Sequence, residues 1–332
     1  MNPTSCKSSI TRRSAVAGMA AALAVGIDRA AHAAEPINAR QPLKIILGYS
    51  AGSSLDVAAR TLAPLISSAW PAGVVVDNRP GAGGALAIAA VGAAPPDGAT
   101  LLLASTGEIT AAPHLNKLPF DPAGLVPICQ IVTGELVLVS GTQLGSATFA
   151  DLLRPKVDRP NLMIGTLGPG TPHHLVAAMM SEGLKRKVEM IHYKSPGDML
   201  TDLNSGQLDG GFVSVALALP WVQGSKARVI ATSAPERSTL FPTAPSMREL
   251  NLAGAETLVW LGFFAPPGIP RETANQISKA IIGATQVPEF VSKMAGVGFQ
   301  VKATGSDDFG KQVASDRARF EKVIAKIGLK AT

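Results

Sequence analysis

The residues best suited to chemistry lie in short stretches rich in glycine and serine. Gly48-Tyr49-Ser50-Ala51-Gly52 has the glycine-x-serine-x-glycine spacing of a nucleophile elbow, placed after an apolar β-branched run and before a helical pattern, as an elbow requires. Ser50 would then be the nucleophile of a secreted α/β serine hydrolase. The surroundings argue against that reading. No His-Gly-Gly loop supplies an oxyanion hole, too little chain precedes the elbow for the strand and loop that build one, and His173, His174 and His192 are poorly placed as the general base. The same residues read better as an anion cradle. A strand ending in Ser50-Ala51-Gly52-Ser53-Ser54, with a helix beginning near Leu55-Asp56, exposes backbone N–H groups at the positive end of a helix dipole, and the serine hydroxyls add donors.

A second stretch has the same form about 110 residues later. Leu162 to Gly165 reads as a short strand, Thr166-Leu167-Gly168-Pro169-Gly170-Thr171 as a loop of small residues, and Pro172 opens a helix at its favoured first-turn position. Two such loops facing each other across a cleft would hold a carboxylate by hydrogen bonds worth roughly 1.5 to 3 kcal/mol each. A few of them reach the ~8 kcal/mol of a micromolar complex. Other patterns fall short. Gly81-Ala82-Gly83-Gly84 has Leu86 where a dinucleotide loop needs its third glycine, and no Walker lysine follows any glycine loop. His173, His174 and His192 lack a carboxylate or cysteine at ligand spacing, so neither a metal nor a cofactor is expected. Trp70, Trp221 and Trp260 read as packing residues, with Trp260 in a strand able to line a cleft.

The elements that must position these loops follow from periodicity. β-branched runs at Leu43 to Gly48, Gly73 to Asn78, Thr100 to Ala104, Glu135 to Ser140, Leu162 to Gly165, Val188 to His192, Gly211 to Val215, Arg228 to Ala231 and Leu258 to Phe264 alternate with helical stretches at Ser54 to Ala69, Pro172 to Gly183, Pro196 to Ser205 and Arg271 to Thr285. Alternation of this kind implies an α/β fold, parallel-rich sheets covered by helices, with binding at the carboxyl ends of strands. In the last helix Phe309, Val313, Phe320, Ile324 and Ile327 form a core stripe, and Ser306-Asp307-Asp308 supplies a cap and first-turn acids.

Residues 1–33 read as a cleaved leader. Lys7, Arg12 and Arg13 precede an uncharged run from Ala15 to Ile27, and Ala31-His32-Ala33 is a small-x-small cleavage signal. The run is shorter than the roughly 20 residues that span a bilayer. The Arg12-Arg13 pair fits the twin-arginine route, but two basic residues also precede the apolar run of ordinary leaders and Ala15 to Ala17 lack the bulky residues expected after the pair, so both routes stay open. Cys6 lies ahead of the apolar run and is not a lipidation site. Of the 332 residues 46% are hydrophobic, 16% charged and 5% aromatic, with a net charge of +6. Removing the leader leaves 26 basic and 23 acidic residues, a net of +3. With no long basic run and few aromatic residues, nucleic acid is not an expected partner.

Over the whole mature length the chain resembles the substrate-binding proteins of tripartite tricarboxylate transporters, the Bug family. The matching blocks are Leu47 to Arg60, Val76 to Gly84, Pro96 to Leu102, Leu118 to Pro122, His192 to Ser195 with Asp202 to Asp209, Ala231 to Ser233 with Arg237-Ser238, and Trp260 to Gly262 with Ala265 to Gly268. Their collinear order, and the run Asn78 to Gly84, make the likeness specific. The resemblance implies a monomeric periplasmic binding protein of two α/β lobes joined by two crossover strands, which closes over a small carboxylate and delivers it to membrane permease subunits. It puts one lobe at residues 41–138 plus 259–332 and the other at 139–258, with crossovers near Glu135 to Ser140 and Leu258 to Phe264. The implied ligand-binding residues are Tyr49, Ser50, Ala51, Gly52, Ser53, Ser54 and Asp56 from the first loop and Gly168, Gly170, Thr171 and His174 from the second, with Ser105, Thr106, Phe212 and Ser214 closing the pocket. A sensor co-receptor would use the same ligand chemistry. Departures from the family pattern bear on the ligand. Val213-Ser214 stands where Asp-Asn is common, Gly52-Ser53 where Gly-Gly is usual, and Ile109 and Ala112 replace a polar pair. Losing an acid at position 213 disfavours an ammonium-bearing ligand and favours a carboxylate with an apolar or aromatic body.

Overall fold

Leu43, Ile45 and Leu47 of the first strand face one hydrophobic layer and Ile46 the opposite one, the two-residue period of a strand buried on both faces. The same parity recurs throughout the computed structural model, which describes residues 37, 41–145, 148–154, 159–184, 186–252 and 254–329. The expected leader, residues 1–33 with Cys6, lies outside the described residues. In chain order the elements begin with β1 (Leu43–Leu47), α1 (Ser54–Leu65), β2 (Val74–Asn78), α2 (Ala85–Gly92) and β3 (Thr100–Ser105). A π-helical turn, Gly107–Ala111, runs into α3 (Ala112–Leu115), then β4 (Val126–Gly141), α4 (Phe149–Leu152), β5 (Leu162–Thr166) and α5 (Pro172–Gly183). The chain continues through β6 (Val188–His192), α6 (Pro196–Ser205), β7 (Gly210–Ser214), α7 (Val215–Gln223) and β8 (Ala227–Thr232). It closes with β9 (Leu258–Ala265), α8 (Arg271–Thr285), α9 (Pro288–Gly296), β10 (Gln300–Gly305) and α10 (Ser306–Lys326).

These ten strands form one curled sheet along the path β2-β1-β3-β9-β4-β7-β5-β6, with β8 and β10 added on β4. The outer trios, β2-β1-β3 and β7-β5-β6, are parallel, and every pairing of β4 and β9 is antiparallel. β4 joins the two halves. From Val126 to Glu135 it pairs with β9, and from Leu136 onward with β7 and β8. Each half is packed on both faces. Leu136, Leu138, Ile164 and Phe212 belong to one cluster of the second half, while Val137, Val139 and Val213 belong to the cluster on its other face. This places the carboxyl ends of β1 and β3, and of β5 and β7, where loops from the two halves can meet.

Helix α10 packs along both halves. Phe309 joins Trp260 and Phe264 in a cluster of the first half, and Phe320, Val323 and Ile324 join Leu136, Leu175 and Met179 in the second. Asp307 and Asp308 occupy its first turn as expected, but Ser306 is not its cap. The N-cap is Gly305, and Ser306 Oγ donates 2.6 Å to the carbonyl of Pro127, because β4 runs close enough to take that proton. Trp70 and Trp260 are fully buried, so Trp260 does not line a cleft, and its Nε1 donates to Asp316 at 2.9 Å. No helix among the described residues is long and apolar enough to cross a membrane.

Candidate functional site

Loops from both halves enclose a chamber of about 410 Å³. The β1–α1 loop contributes Tyr49, Ser53, Ser54 and Leu55, and β3 ends on it with Ser105. The β5–α5 loop contributes Leu167, Thr171, Pro172 and His173, and the β7–α7 junction Ser214, Val215 and Ala216. Its floor is the strand crossing itself, Gly134, Glu135 and Leu136 of β4 with Val259 and Leu261 of β9, and Phe299 closes one side. Among the described residues no lysine or arginine lines it. A second, outer chamber of about 400 Å³ shares Tyr49, Thr171 and Pro172 with the first and adds Gly83, Gly107, Glu108, Leu115, Asn116 and Gly170.

The N-termini of α1 and α5 both border the inner chamber, each capped by a hydroxyl. Ser53 Oγ accepts from Asp56 N at 3.3 Å, and Thr171 Oγ1 accepts from His174 N at 3.4 Å while donating to Gly168 O at 2.8 Å. Much of each cradle is committed to its own loop. Gly52 N donates to Asp56 Oδ2 at 3.0 Å, and Gly170 N to His174 Nδ1 at 2.9 Å. The amides of Ser54 and Leu55, and of Thr171 and His173, take no part in these bonds, and their residues line the chamber. Positive φ at Gly52 (83°), Gly168 (100°) and Gly170 (73°) is what lets the loops fold back so tightly.

Of the fifteen residues expected to bind ligand, Tyr49, Ser53, Ser54, Ser105, Thr171 and Ser214 line the inner chamber, and Gly170 the outer one. The others stand elsewhere. Ser50, Ala51 and Gly52 are exposed on the turn. Asp56 is 4% exposed and accepts from Gly52 N, Arg60 Nε and Asn78 Nδ2, the last two at 2.9 and 3.0 Å. Burial alone would raise its pKa, but the Gly52 amide, Arg60 and Asn78 outweigh it and hold the carboxyl below its usual range. It therefore positions the loop. Thr106 Oγ1 accepts from Trp260 N at 2.7 Å and is used up in joining β3 to β9. Gly168 offers its carbonyl to the Thr171 cap. Phe212 is wholly buried in the core of the second half, and Ser214, on the same face of β7 two residues on, reaches the chamber because it ends the strand.

His174 is 5% exposed and turned from the chamber, its ring edge-on to His192 at 4.6 Å, whose Nδ1 is 2.7 Å from Thr166 Oγ1. Burial, with the His192 charge adding to it, lowers its pKa to about 4. The neighbouring His173, not foreseen, faces the chamber instead. Both its ring nitrogens are covered and without a hydrogen bond, and burial lowers its pKa to about 4. A neutral imidazole with a free donor and a free acceptor can bind either kind of polar group.

Two acids also escaped the sequence reading. Glu135 lies at the strand crossing, bound by Ser238 Oγ, with Oε2 buried and unpartnered and its pKa raised by burial. Glu108 is 1% exposed and accepts from Ser105 N at 2.8 Å and Ser105 Oγ at 3.0 Å, both on Oε2, while Oε1 has no partner. Tyr49 is 39% exposed, yet its hydroxyl end is covered beside Ser105 and Glu108. Burial and then the Glu108 charge push the phenol up to about 12. Among the described residues no three histidine, cysteine or acidic groups could hold a metal ion.

Comparison with known proteins places this geometry. The profile of the tripartite tricarboxylate transporter family receptor matches residues 58–329. A UPF0065 protein of Bordetella pertussis is 28% identical over 291 residues, covering 87% of this chain and 90% of its own. A solute-binding protein of the same family from Polaromonas, solved without ligand, superposes with a TM-score of 0.76 at 22% identity, covering 86% of this chain and 98% of its own. Rpa4515 of R. palustris, solved with adipate, superposes with a TM-score of 0.72 at 23% identity, covering 88% and 99%.

Proposed function

Because the chain belongs to the tripartite tricarboxylate transporter family of receptors, we propose that it captures a small carboxylate in the inner chamber and delivers it to membrane permease subunits. One observation carries the reading. The N-termini of two helices, α1 and α5, end on one chamber that has hydroxyls, free amides, a neutral histidine and the half-buried Glu135 on its walls and, among the described residues, no lysine or arginine. Each helix end favours an anion by about 0.3–1 kcal/mol when exposed and up to ~2 kcal/mol when partly buried. An anion site built this way suits a chain with so few charges. The fold it shares with an adipate-holding protein supports a dicarboxylate as the first solute to test.

Capture proceeds by hinge closure of residues 41–138 plus 259–332 against residues 139–258, flexing where β4 exchanges partners and where the chain re-enters β9. Since α10 packs on both halves, it sets how far they part. The protein acts as a periplasmic monomer, exported on a leader of residues 1–33 that is cut after Ala33. Ser50 serves as part of a turn, its carbonyl accepting from Ser53 N at 3.3 Å.

Thermal-shift screening of a carboxylate panel, followed by calorimetric titration, tests the reading. Stabilisation by adipate or another di- or tricarboxylate with a micromolar Kd is the expected result. Failure of every carboxylate to stabilise the chain, or stoichiometric labelling of Ser50 by a fluorophosphonate, overturns it.

A further inference from the structure

Glu108 is an acid in a place that should repel the proposed solute. It belongs to the wall of the outer chamber, and its hydrogen bonds come from Ser105, whose hydroxyl and amide both point at Oε2. Ser105 in turn lines the inner chamber, and Tyr49, whose phenol end lies beside Ser105, lines both. A single hydroxyl thus links Glu108 to the carboxylate site. Space has been made for the acid by two glycines. A Cβ at Gly48 or at Gly84 would overlap Glu108 Oε1, and that oxygen is buried with nothing to bond.

Among the described residues nothing nearby neutralises it. Facing Glu108 is Tyr49 of the β1–α1 loop, and the elements packed round its turn bring His114 of α3, His173 of α5, and Asp316, Arg317, Arg319 and Glu321 of α10. Arg317 is held by Asp121 at 2.8 Å and Arg319 by Asp316 at 3.2 Å, while α2, β3 and β9 bring no titratable group. An ionised Glu108 would therefore hold a charge that no cation neutralises, one hydroxyl away from the site of an incoming carboxylate. A protonated one keeps an acceptor oxygen for Ser105 and removes the repulsion.

We propose that Glu108 is a specificity-determining residue that couples solute capture to protonation: the cleft binds a carboxylate together with one proton, taken up on Glu108. This rests on reading the inner chamber as the carboxylate site. Burial pushes the carboxyl up to about 7, against the two Ser105 hydrogen bonds, which favour the ionised form. The protonated fraction of such a group falls about ten-fold between pH 6 and pH 8, and the apparent affinity falls with it if only that form binds. An ammonium-bearing solute would show the opposite trend, since ionised Glu108 would attract it.

The test is calorimetric titration of the purified chain with adipate at pH 6 and pH 8, in wild type, Glu108→Gln and Ser105→Ala. Glutamine keeps an oxygen for Ser105 and carries no charge, so it imitates the protonated acid. Wild type is expected to bind adipate about ten-fold more weakly at pH 8 than at pH 6, with uptake of a proton seen as a buffer-dependent heat, and E108Q to bind equally at both. S105A removes a bond that favours ionisation and moves the midpoint of the pH profile upward. Without any ligand, the wild-type melting temperature should fall relative to E108Q as pH rises from about 4.5 to 7, because the raised pKa makes the folded state the proton-richer one. Equal wild-type affinities at the two pH values, or a pH slope that survives in E108Q, overturn the proton coupling and leave the carboxylate reading standing. No binding of adipate at pH 6 by either form overturns both.

Discussion

Replacing Asp56 by asparagine tests whether the β1–α1 loop is held by its own buried acid. The wild-type carboxylate serves three donors, the amide of Gly52, Arg60 Nε and Asn78 Nδ2. Asparagine keeps one oxygen and turns an NH2 toward donors that then have nothing to meet. Hydrogen bonds to a charged group contribute about 1.5–3 kcal/mol against 0.5–1.5 for neutral ones, so losing the charge costs about 1 kcal/mol per bond. The Arg60 side chain is 54% exposed and its share is discounted for solvent screening, which leaves a loss of about 2–3 kcal/mol. With an unfolding entropy of about 0.6 kcal/mol per degree for a chain of this size, the midpoint should fall by about 4 °C. Calorimetry at pH 7.5 would measure it. The sign with pH follows from linkage. Asp56 has a depressed folded pKa, so its contribution is whole above the unfolded value near 3.9 and fades as pH falls through the folded value. Adipate binding should weaken too, because Gly52 to Leu55 lose their anchor. A variant melting within 1 °C of wild type and binding adipate equally would refute the assignment of Asp56 as the holder of this loop.

Thr171→Ala removes the α5 cap and should cost about 0.5–2 kcal/mol of stability together with adipate affinity, read by thermal shift and titration. Gly84→Ala combines φ of 95° with a Cβ that meets Glu108, so it should destabilise by more than ~2 kcal/mol. Glu108→Ala should recover only the steric part, leaving the backbone strain, and a double-mutant cycle in denaturant separates the two. His174 has its pKa lowered to about 4, so stability present above pH ~6.5 should drain away as pH falls from 6.5 to 4, and His174→Gln should flatten that slope in a pH series of melts.

The fold was legible because its signals are local. The β-branched runs at Leu43, Thr100 and Leu162, and the helices beginning at Pro172, Pro196 and Arg271, carry their own period and punctuation, and each forms where it was expected. What was illegible was set by partners distant in sequence. The expected strand from Glu135 to Ser140 extends back to Val126, since the earlier residues become a strand only by pairing with β9 and β10, more than 100 residues later. The antiparallel centre follows from the same pairings, and no spacing within β4 announces it. Ser306 is helix-capping in type, but Pro127 O takes its proton from another element.

The site divides along the same line, and the division has a chemical cause. A helix N-terminus with serine, glycine and an acid in its first turn signals only that amides will be available, and the chain can satisfy them with its own atoms or leave them to a solute. Asp56 and His174 were expected to meet ligand, and each proves to be the internal partner that closes its own loop, on Gly52 N and Gly170 N respectively. His173 and His174 differ by about 100° of helix rotation. Which of the two faces the chamber depends on the phase at which α5 docks, which residues 172–174 alone do not encode. Glu108 is the stronger case. In sequence it is an acid beside an apolar stretch, Ile109 to Ala112, of the kind that normally turns to solvent. Its burial depends on glycines 60 and 24 residues earlier leaving room for Oε1, and its bearing on the cleft depends on Ser105 presenting one hydroxyl to both. Of the sequence departures expected to make the pocket less polar, Ala112 alone lines a chamber, the outer one, while Ile109 and Val213 are buried in core clusters, and the turn that holds Ile109 carries an acid inward. Burial beneath that turn is what raises the Glu108 carboxyl toward neutrality, against its two Ser105 hydrogen bonds, and brings its titration into the range where proton uptake can accompany solute capture.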